Sequence, residues 1–220
     1  MNTPLVFATN NKHKLQEVQK LLPANIHLIT LAEAGINEDI AETGTTLKAN
    51  AYIKSRFVFD RTDLNCFADD TGLEVEALNG APGVYSARYA GEHCSFTDNV
   101  NKLLLEMKDK DNRKARFRTV ISLILNEQEY FFEGIVEGEI TREPRGTEGF
   151  GYDPVFQPSP PSPKSGDAIS HELLDGKSDG KHPPSGGRGA TFAEMTMEDK
   201  NAVSHRARAV EKLVEFLKSV

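Results

Sequence analysis

The spacing of apolar residues in the first third of the chain predicts a strand, a polar loop and two helices. A short apolar run at 4–9 is followed by apolar positions at helical spacing over 12–22, which predicts a strand that leads into a helix. A second helix is predicted over 43–60, with apolar and basic residues along one face. Its N-cap is predicted at Thr43 or Thr45, because a threonine hydroxyl can accept from the first free N–H groups of a helix.

The next segment alternates between short apolar runs and turn-forming residues. A short buried strand is predicted over 65–68, ending at the sequence Asp69-Asp70-Thr71-Gly72, and an apolar pattern resumes over 73–78. The Gly- and Pro-bearing stretch 79–91 is predicted to be a loop, and 97–107 an amphipathic helix.

The second half of the chain begins with period-two alternation. Residues 115–125 predict a long strand, and 129–140 predict its hairpin partner. The stretch at about 157–190 is rich in Pro, Ser, Gly and Lys, and we expect a mobile surface insertion in an otherwise single domain over 1–220. A final helix is predicted over 197–218. Strands and helices in this order indicate an α/β fold.

Composition excludes several functions. The formal net charge is −7 with charges of both signs mixed along the chain, which disfavours a nucleic acid polymer as a partner but allows a small phosphorylated ligand. No apolar run is long enough to span a membrane, and no secretion signal is visible. Cys66 and Cys94 have neither redox-motif nor zinc-ligand spacing, so reduced thiols and a cytoplasmic location are expected.

The polar loop at 9–14 is the first candidate for chemistry. Small polar residues and lysines lie between a strand end and a helix start, where free backbone N–H groups and the helix dipole favour a phosphate. The loop lacks the glycines of a Walker motif. A polar loop of this kind can also be only a helix cap.

Carboxylates provide the second candidate. Asp69 and Asp70 are adjacent at the end of a buried strand, where they repel each other unless a cation or hydrogen-bond donors compensate. With Glu42 they could bind magnesium, which takes one or two protein carboxylates and bridges to substrate phosphates. Neighbouring aspartates before a glycine can equally form a simple turn.

The third candidate combines 149–154 with Lys200, His205 and Arg206. Phe150 lies between two glycines, and such an aromatic ring can stack on a flat ligand that the backbone approaches closely. His205 and Arg206 lie largely off the apolar stripe of the last helix, so they face either a cleft or water.

Together these segments resemble the inosine triphosphate pyrophosphatase family, also called non-canonical purine NTP pyrophosphatases. The resemblance covers almost the whole chain except the insertion. It is carried by five segments in the family's order: Ala8 to Lys14, Phe67 to Leu73, Gly80 to Tyr89, Gly149 to Phe156, and Ser204-His205-Arg206.

The resemblance implies a fold, a cofactor and residue roles. The implied fold is an elongated, two-lobed α/β structure around a twisted mixed sheet with helices on both sides and a nucleotide in the central cleft, usually as a homodimer. Glu42 and Asp70 would bind Mg²⁺, and Asp70 would also be the proton acceptor. The residues that would bind the triphosphate are Thr9, Asn10, Asn11, Lys12, His13 and Lys14. The residues that would surround the rest of the substrate are Thr71, Phe150, Gly151, Tyr152, Asp153, Lys200, His205 and Arg206.

Two positions depart from the family pattern. Ala49 stands where members usually have a glutamate, and Ala190 stands where many have a lysine. Lys181 or Arg188 of the insertion could substitute for that lysine. Neither departure touches the carboxylates Glu42 and Asp70.

The predicted reaction is hydrolysis of ITP, dITP and XTP to the monophosphate and pyrophosphate, with Lys14 and Lys54 neutralising charge on the leaving group. Two alternatives remain open. One is a Maf-like pyrophosphatase for modified pyrimidine or methylated purine triphosphates, which the Ser-His-Arg segment disfavours. The other is a non-catalytic nucleotide sensor, which the presence of Glu42 and Asp70 disfavours.

Overall fold

Strands and helices form close to where the apolar spacing predicts them, with shifts at several ends. The computed structural model describes residues 4–160 and 189–220. The strands in these ranges are β1 (Pro4–Phe7), β2 (His27–Ile29), β3 (Cys66–Val75), β4 (Pro82–Gly83), β5 (Lys114–Leu125), β6 (Gln128–Ile140) and β7 (Phe156–Pro158). The helices are α1 (Lys12–Leu21), α2 (Leu47–Thr62), α3 (Phe96–Glu106), α4 (Met197–Val203) and α5 (His205–Ser219). Short 3-10 turns cover Glu76–Leu78, Ser86–Arg88, Asp153–Val155 and Phe192–Glu194.

The strands form one mixed sheet, which confirms the predicted α/β class. Its order within the described residues is β2-β1-β3-β5-β6-β7, with β4 paired to β3. The first three strands are parallel, and the remaining pairings are antiparallel. The predicted hairpin is present as β5 and β6, which turn through Asn126 and Glu127 at positive φ, as a tight two-residue hairpin turn requires.

Helices cover both faces of the sheet. Successive strand residues point to opposite faces. Phe67 accordingly packs with Val18 of α1 and Val210 of α5, whereas Ala68 packs with Val58 of α2. A third apolar cluster surrounds α3 and the far ends of β3, β5 and β6. The sheet therefore has one apolar core on each face, and a third core lies around α3 at the far ends of β3, β5 and β6.

Strand β3 corrects the prediction that a short strand ends at Asp69. The strand continues through both aspartates, with Asp70 opposite Val120 and Thr71 opposite Thr119 of β5. An Asp-Asp-Thr-Gly sequence favours a turn by local preference. Here the carboxylates are paired with cations from distant helices, so the extended backbone can remain in the sheet.

Two helix starts also differ from the prediction. Helix α2 begins at Leu47 and is capped by Thr46, whose hydroxyl accepts from Ala49 N, so neither Thr43 nor Thr45 is the cap. The residues before it are held outside the helix because Gly44 N donates to Asn50 Oδ1 at 2.7 Å. The final helix is broken at Ser204, which ends α4 and caps α5 by accepting from Ala207 N.

The first residues of the predicted insertion belong to the sheet. Gln157 and Pro158 belong to β7 and pair with Glu139 and Gly138 of β6. Arg145 Nη2 donates to Gln157 Oε1 and to the carbonyl oxygen of Gly189, so it joins the two flanks of the segment. Residues 161–188, including Lys181 and Arg188, lie outside the described residues.

Helix α5 approaches β6 closely at Gly134. A Cβ atom at Gly134 would lie 2.0 Å from the carbonyl oxygen of His205 and 2.6 Å from Ala209 N. Only glycine therefore allows the first turns of α5 to lie against the strand. Among the described helices, none is both long and apolar enough to span a membrane.

Candidate active site

A cleft of about 340 Å³ opens at a gap along one edge of β3. That edge is paired with β1 at Cys66 and Phe67 and with β4 at Leu73 and Glu74. The aspartates between these pairings lie at an open edge, where side chains from both faces of the sheet can reach the same space. The predicted site residues that line the cleft are Thr9, Asn10, Asn11, Lys14, Glu42, Lys54, Asp70, Thr71, Phe150, Gly151, Tyr152, Asp153, Lys200, His205 and Arg206.

Lys12 and His13 are the predicted site residues that do not line the cleft. Both are exposed in the first turn of α1. The His13 ring nevertheless stacks on Phe150, with 5.1 Å between the ring centroids. His13 therefore contacts the cleft wall from outside the cleft lining.

The loop before α1 differs from the predicted cradle of free N–H groups. Asn11 Oδ1 accepts from His13 N at 3.0 Å and from Lys14 N at 3.2 Å, and Thr9 Oγ1 accepts from Asn11 N. These N–H groups are thus already bound to side chains of the same loop.

Asp69 and Asp70 serve different partners because they point to opposite faces of β3. Asp69 accepts from Lys14 Nζ at 2.9 Å and from Arg206 Nε at 3.1 Å. Burial opposes ionisation of Asp69, but Lys14 and Arg206 outweigh it and hold the pKa of this carboxyl well below its usual range. Asp69 is therefore an ionised anchor for two cations.

Asp70 lies on the other face with Lys54 and Glu42. Lys54 Nζ is 2.6 Å from Glu42 Oε1 and 3.8 Å from Asp70 Oδ1. Burial raises the pKa of Asp70 above the usual carboxyl range, although Lys54 and Lys14 act in the opposite direction. Burial disfavours the charge of Lys54, yet Asp70 and Glu42 raise its pKa and keep it protonated.

Glu42 and Asp70 are suitable ligands for a divalent cation. Asp70 Oδ2 is buried, and no described residue hydrogen-bonds to it. A buried carboxylate oxygen without a partner is costly unless a ligand compensates for it. The described residues contain no cluster of three or more His, Cys, Asp or Glu side chains in metal-binding positions, which argues against an all-protein cage. Magnesium needs only one or two carboxylates when phosphate and water complete its shell.

A second group of charged side chains in the cleft is built around Lys200. Its Nζ donates to Asp153 Oδ2 at 2.7 Å and to Glu17 Oε1 at 2.8 Å, and lies 5.0 Å from the centroid of the Phe150 ring. Asp153 also accepts from Phe150 N at 2.8 Å, which fixes the turn that carries the ring. Phe150 is thus held at the cleft wall by an ion pair beside it.

His205 and Arg206 are buried, which excludes the alternative of a solvated helix face. Arg206 donates to Asp69, to Glu17 and to Thr71 Oγ1, so its guanidinium joins β3 to α1 and α5. The break at Ser204 is the physical reason, because it starts a new helix whose first turn points into the cleft. The His205 ring stacks on Phe117 with centroids 4.5 Å apart.

Glu17 is the important residue that the sequence did not reveal. It is 4% exposed and links Lys200 to Arg206. Both cations hold the pKa of Glu17 below its usual range, although burial opposes them. The available signal was its position three residues after Lys14, which places both side chains on one face of α1.

We expect His205 to make the folded state less stable as the pH falls below about 6.5, the ordinary pKa of histidine. Burial, with Arg206 and Lys200 nearby, lowers the pKa of His205 well below its usual range. The unfolded chain therefore binds a proton that the folded chain excludes, and stability falls by up to about 1.4 kcal/mol per pH unit below that point.

The measurement is urea unfolding of wild type and His205→Gln at pH 7.5 and 5.5. His205→Gln should lose less stability than wild type between the two pH values, because this proton linkage is removed. The same substitution at exposed His27 is the control and should behave as wild type. An unchanged pH dependence in His205→Gln would contradict a neutral, buried imidazole.

The chain is similar to known proteins over nearly its full length. The model of the Ham1 family matches residues 5–173 and 181–216. A dITP/XTP pyrophosphatase of Flavobacterium psychrophilum is 44% identical over 215 residues, which cover 98% of this chain and 99% of that protein. A protein of the same name from Porphyromonas gingivalis is 49% identical over 214 residues, covering 97% and 96%.

Solved structures show the same fold. A HAM1 protein from Coxiella burnetii aligns with a TM-score of 0.80 at 38% identity, covering 99% of this chain and 100% of that one. The Ham1 protein of Staphylococcus aureus aligns with a TM-score of 0.78 at 35% identity, covering 99% of both chains. The arrangement of sheet and helices around the cleft is therefore shared with these proteins.

Proposed function

This chain belongs to the Ham1 family, and from that premise we propose that it hydrolyses the non-canonical purine nucleoside triphosphates ITP, dITP and XTP to the monophosphate and pyrophosphate. Its full-length relatives carry the name dITP/XTP pyrophosphatase. The observation that supports the same activity here is a single cleft lined by Lys14, Lys54, Glu42 and Asp70 and also by Phe150 with the buried donors Lys200 and Arg206.

Asp70 is the proposed proton acceptor for the attacking water. Its Oδ2 is buried, has no hydrogen-bond partner among the described residues, and is available to the water. Mg²⁺, which we propose is held by Glu42 and Asp70, would supply positive charge to the substrate phosphate oxygens. The water attacks the α-phosphorus, and the electron pair of the broken bond leaves with pyrophosphate.

Lys14 and Lys54 are proposed to stabilise the charge that develops on the leaving group. Each is already paired with a carboxylate, so each ammonium group is held in position before substrate enters. Such preorganised charges need little rearrangement during the reaction. Burial lowers the pKa of Lys14, and a bound phosphate would favour its charged form.

The group around Lys200 is proposed to read the base. Hypoxanthine and xanthine carry an acceptor oxygen at position 6, where adenine carries an amino donor. A pocket with the donors of Lys200 and Arg206 therefore rejects adenine, because donors would face donors. Phe150 would stack on the ring, and the 2-amino group of guanine must be excluded by the pocket wall.

The test is a panel of nucleoside triphosphates assayed with Mg²⁺, in which both pyrophosphate and monophosphate are quantified. We expect ITP, dITP and XTP to exceed dATP in kcat/KM by roughly 5- to 150-fold, the range that corresponds to about 1–3 kcal/mol for unmatched buried donors. Release of phosphate and a diphosphate would instead indicate cleavage at the wrong bond.

Other outcomes of this panel distinguish the alternatives. Preference for modified pyrimidine or methylated purine triphosphates would indicate a Maf-like specificity. Binding of ITP without turnover would indicate a sensor. The homodimer implied by the family resemblance is part of the same proposal, and light scattering of the purified protein tests it.

A further inference from the structure

Arg88 lies beside the proposed metal ligand Glu42 and has no role in the reaction described so far. Its Nη1 is 3.9 Å from Glu42 Oε2, while Glu42 Oε1 is held by Lys54. Its side chain is 28% exposed, and its guanidinium makes no hydrogen bond to any residue within 4–160 or 189–220. By contrast, Arg113 uses three nitrogens to bind backbone carbonyl oxygens. The Arg88 guanidinium therefore has donors to offer a ligand.

The backbone that carries Arg88 is firmly held. Ser86 Oγ accepts from Leu73 N at 2.9 Å and donates to the carbonyl oxygen of Gly83 at 2.6 Å, which ties the turn to β3 and β4. The hydroxyl of Tyr152 donates to the carbonyl oxygen of Ser86 at 3.0 Å. The Tyr85 ring lies 5.2 Å from Arg88 Cζ, where it limits the motion of the guanidinium. Arg88 is thus a positioned cation with unused donors.

We propose that Arg88 binds the terminal phosphates of the substrate and stabilises the pyrophosphate as it leaves. This inference rests on the proposed function. A planar guanidinium can donate two parallel N–H bonds to a phosphate, which its loose contact with Glu42 does not use. When substrate enters, the guanidinium moves from the carboxylate to the phosphates, which would leave Oε2 of Glu42 available to a metal ion while Lys54 still holds Oε1. The same water attack then breaks the bond between the α-phosphorus and the bridging oxygen, with Arg88 facing the oxygens that gain charge.

The experiment compares wild type, Arg88→Ala and Arg88→Lys, with Arg56→Ala as the matched control. Arg56 on α2 likewise has one carboxylate, Asp60, and one aromatic neighbour, Phe59, but Asp60 is not a cleft residue, whereas Glu42 beside Arg88 lines the cleft. Arg88→Ala should lower kcat/KM for dITP and for XTP alike, by about tenfold to a hundredfold. Arg88→Lys should recover part of this loss, and Arg56→Ala should lose little.

Product inhibition separates phosphate binding from a structural role. In Arg88→Ala the inhibition constant for pyrophosphate should rise about tenfold, whereas that for dIMP should stay unchanged, because only pyrophosphate contacts Arg88. Equal weakening of both products would indicate a distorted cleft and would overturn the inference, as would no change in either.

Calorimetric titration of pyrophosphate into the same proteins keeps this test independent of turnover. If wild type did not release pyrophosphate from dITP, the proposed function would fail. Weaker pyrophosphate binding by Arg88→Ala than by Arg56→Ala would still support the contact. If the two variants bound pyrophosphate equally and wild type hydrolysed dITP, the inference that Arg88 binds the phosphates would fail while the proposed function would stand.

Discussion

Asp70→Asn is expected to lower kcat for dITP by at least about a hundredfold while the fold stays intact, the usual scale for loss of a positioned proton acceptor or metal ligand. The amide has the same size as the carboxylate, and its oxygen can still accept from Thr71 N as Asp70 Oδ1 does now. Lys54 keeps its shorter contact with Glu42. Steady-state kinetics and thermal unfolding of the same preparation measure both effects.

Asp60→Asn is the control for losing one aspartate charge. Asp60 is paired with Arg56 on the surface of α2, so its variant should keep wild-type kcat. Near-normal turnover by Asp70→Asn would show that the proton acceptor lies elsewhere. A large loss of thermal stability would show instead that Asp70 has a structural role.

Arg206→Ala is expected to cost about 3–5 kcal/mol of unfolding free energy, because it leaves two buried carboxylates without their shared cation. Glu17 and Asp69 both contact Arg206 from buried positions. For a chain of this length such a loss corresponds to a fall in Tm of roughly 6–20 °C. Urea unfolding is the measurement, and Arg208→Ala is the control, because Arg208 contributes one bond to a backbone carbonyl.

A second substitution shows whether the carboxylates cause the loss. Glu17→Gln combined with Arg206→Ala should be less destabilised than the sum of the single changes, because one uncompensated charge is removed. If the losses simply add, the ion pair is not the origin of the effect.

Activity assays on folded Arg206→Ala also test whether Arg206 recognises the base. From kcat/KM, we expect the variant to lose about 1–3 kcal/mol of transition-state stabilisation for ITP and XTP and less for ATP and GTP. Its preference for ITP and XTP over ATP and GTP should therefore become smaller. An equal loss for all four nucleotides would place Arg206 at the phosphates. Because Arg206 also stabilises the fold, the assay has to be run at a temperature where the variant remains folded.

The spacing of apolar residues predicts those helices and strands that are stabilised by burying one apolar face. Helix α3 and the β5–β6 hairpin have strong local patterns, and they form within a few residues of the predicted positions. Local sequence ends the predicted strand too early at Asp-Asp-Thr-Gly, because its preference for a turn is opposed by Lys14 and Lys54, which reach the segment from other helices. Such long-range pairing leaves no signal in the segment itself.

Site residues that belong to a local sequence motif could be predicted from the sequence. Those that depend on contacts between distant parts of the sequence could not. The apolar spacing predicts a single long helix that carries His205 and Arg206, because the Ser204 cap that separates α4 from α5 lies within a run of helix-forming residues. Glu17 meets Lys200 across 183 positions of sequence. A glutamate beside a buried valine on a helix usually faces water, so the spacing of Glu17 from Lys14 is the one local sign of its burial.

Gly134 influences the dimensions of the cleft although it does not line the cleft, because it determines how closely α5 packs against β6. The carbonyl oxygen of His205 occupies the space that a side chain at position 134 would need. Even one added methyl group would lift the first turn of α5 from the sheet, and Arg206 would move with it. The position of the Arg206 guanidinium therefore depends on the missing side chain of Gly134, a residue that does not line the cleft. A larger residue at position 134 would misalign the catalytic groups without removing a contact to the substrate.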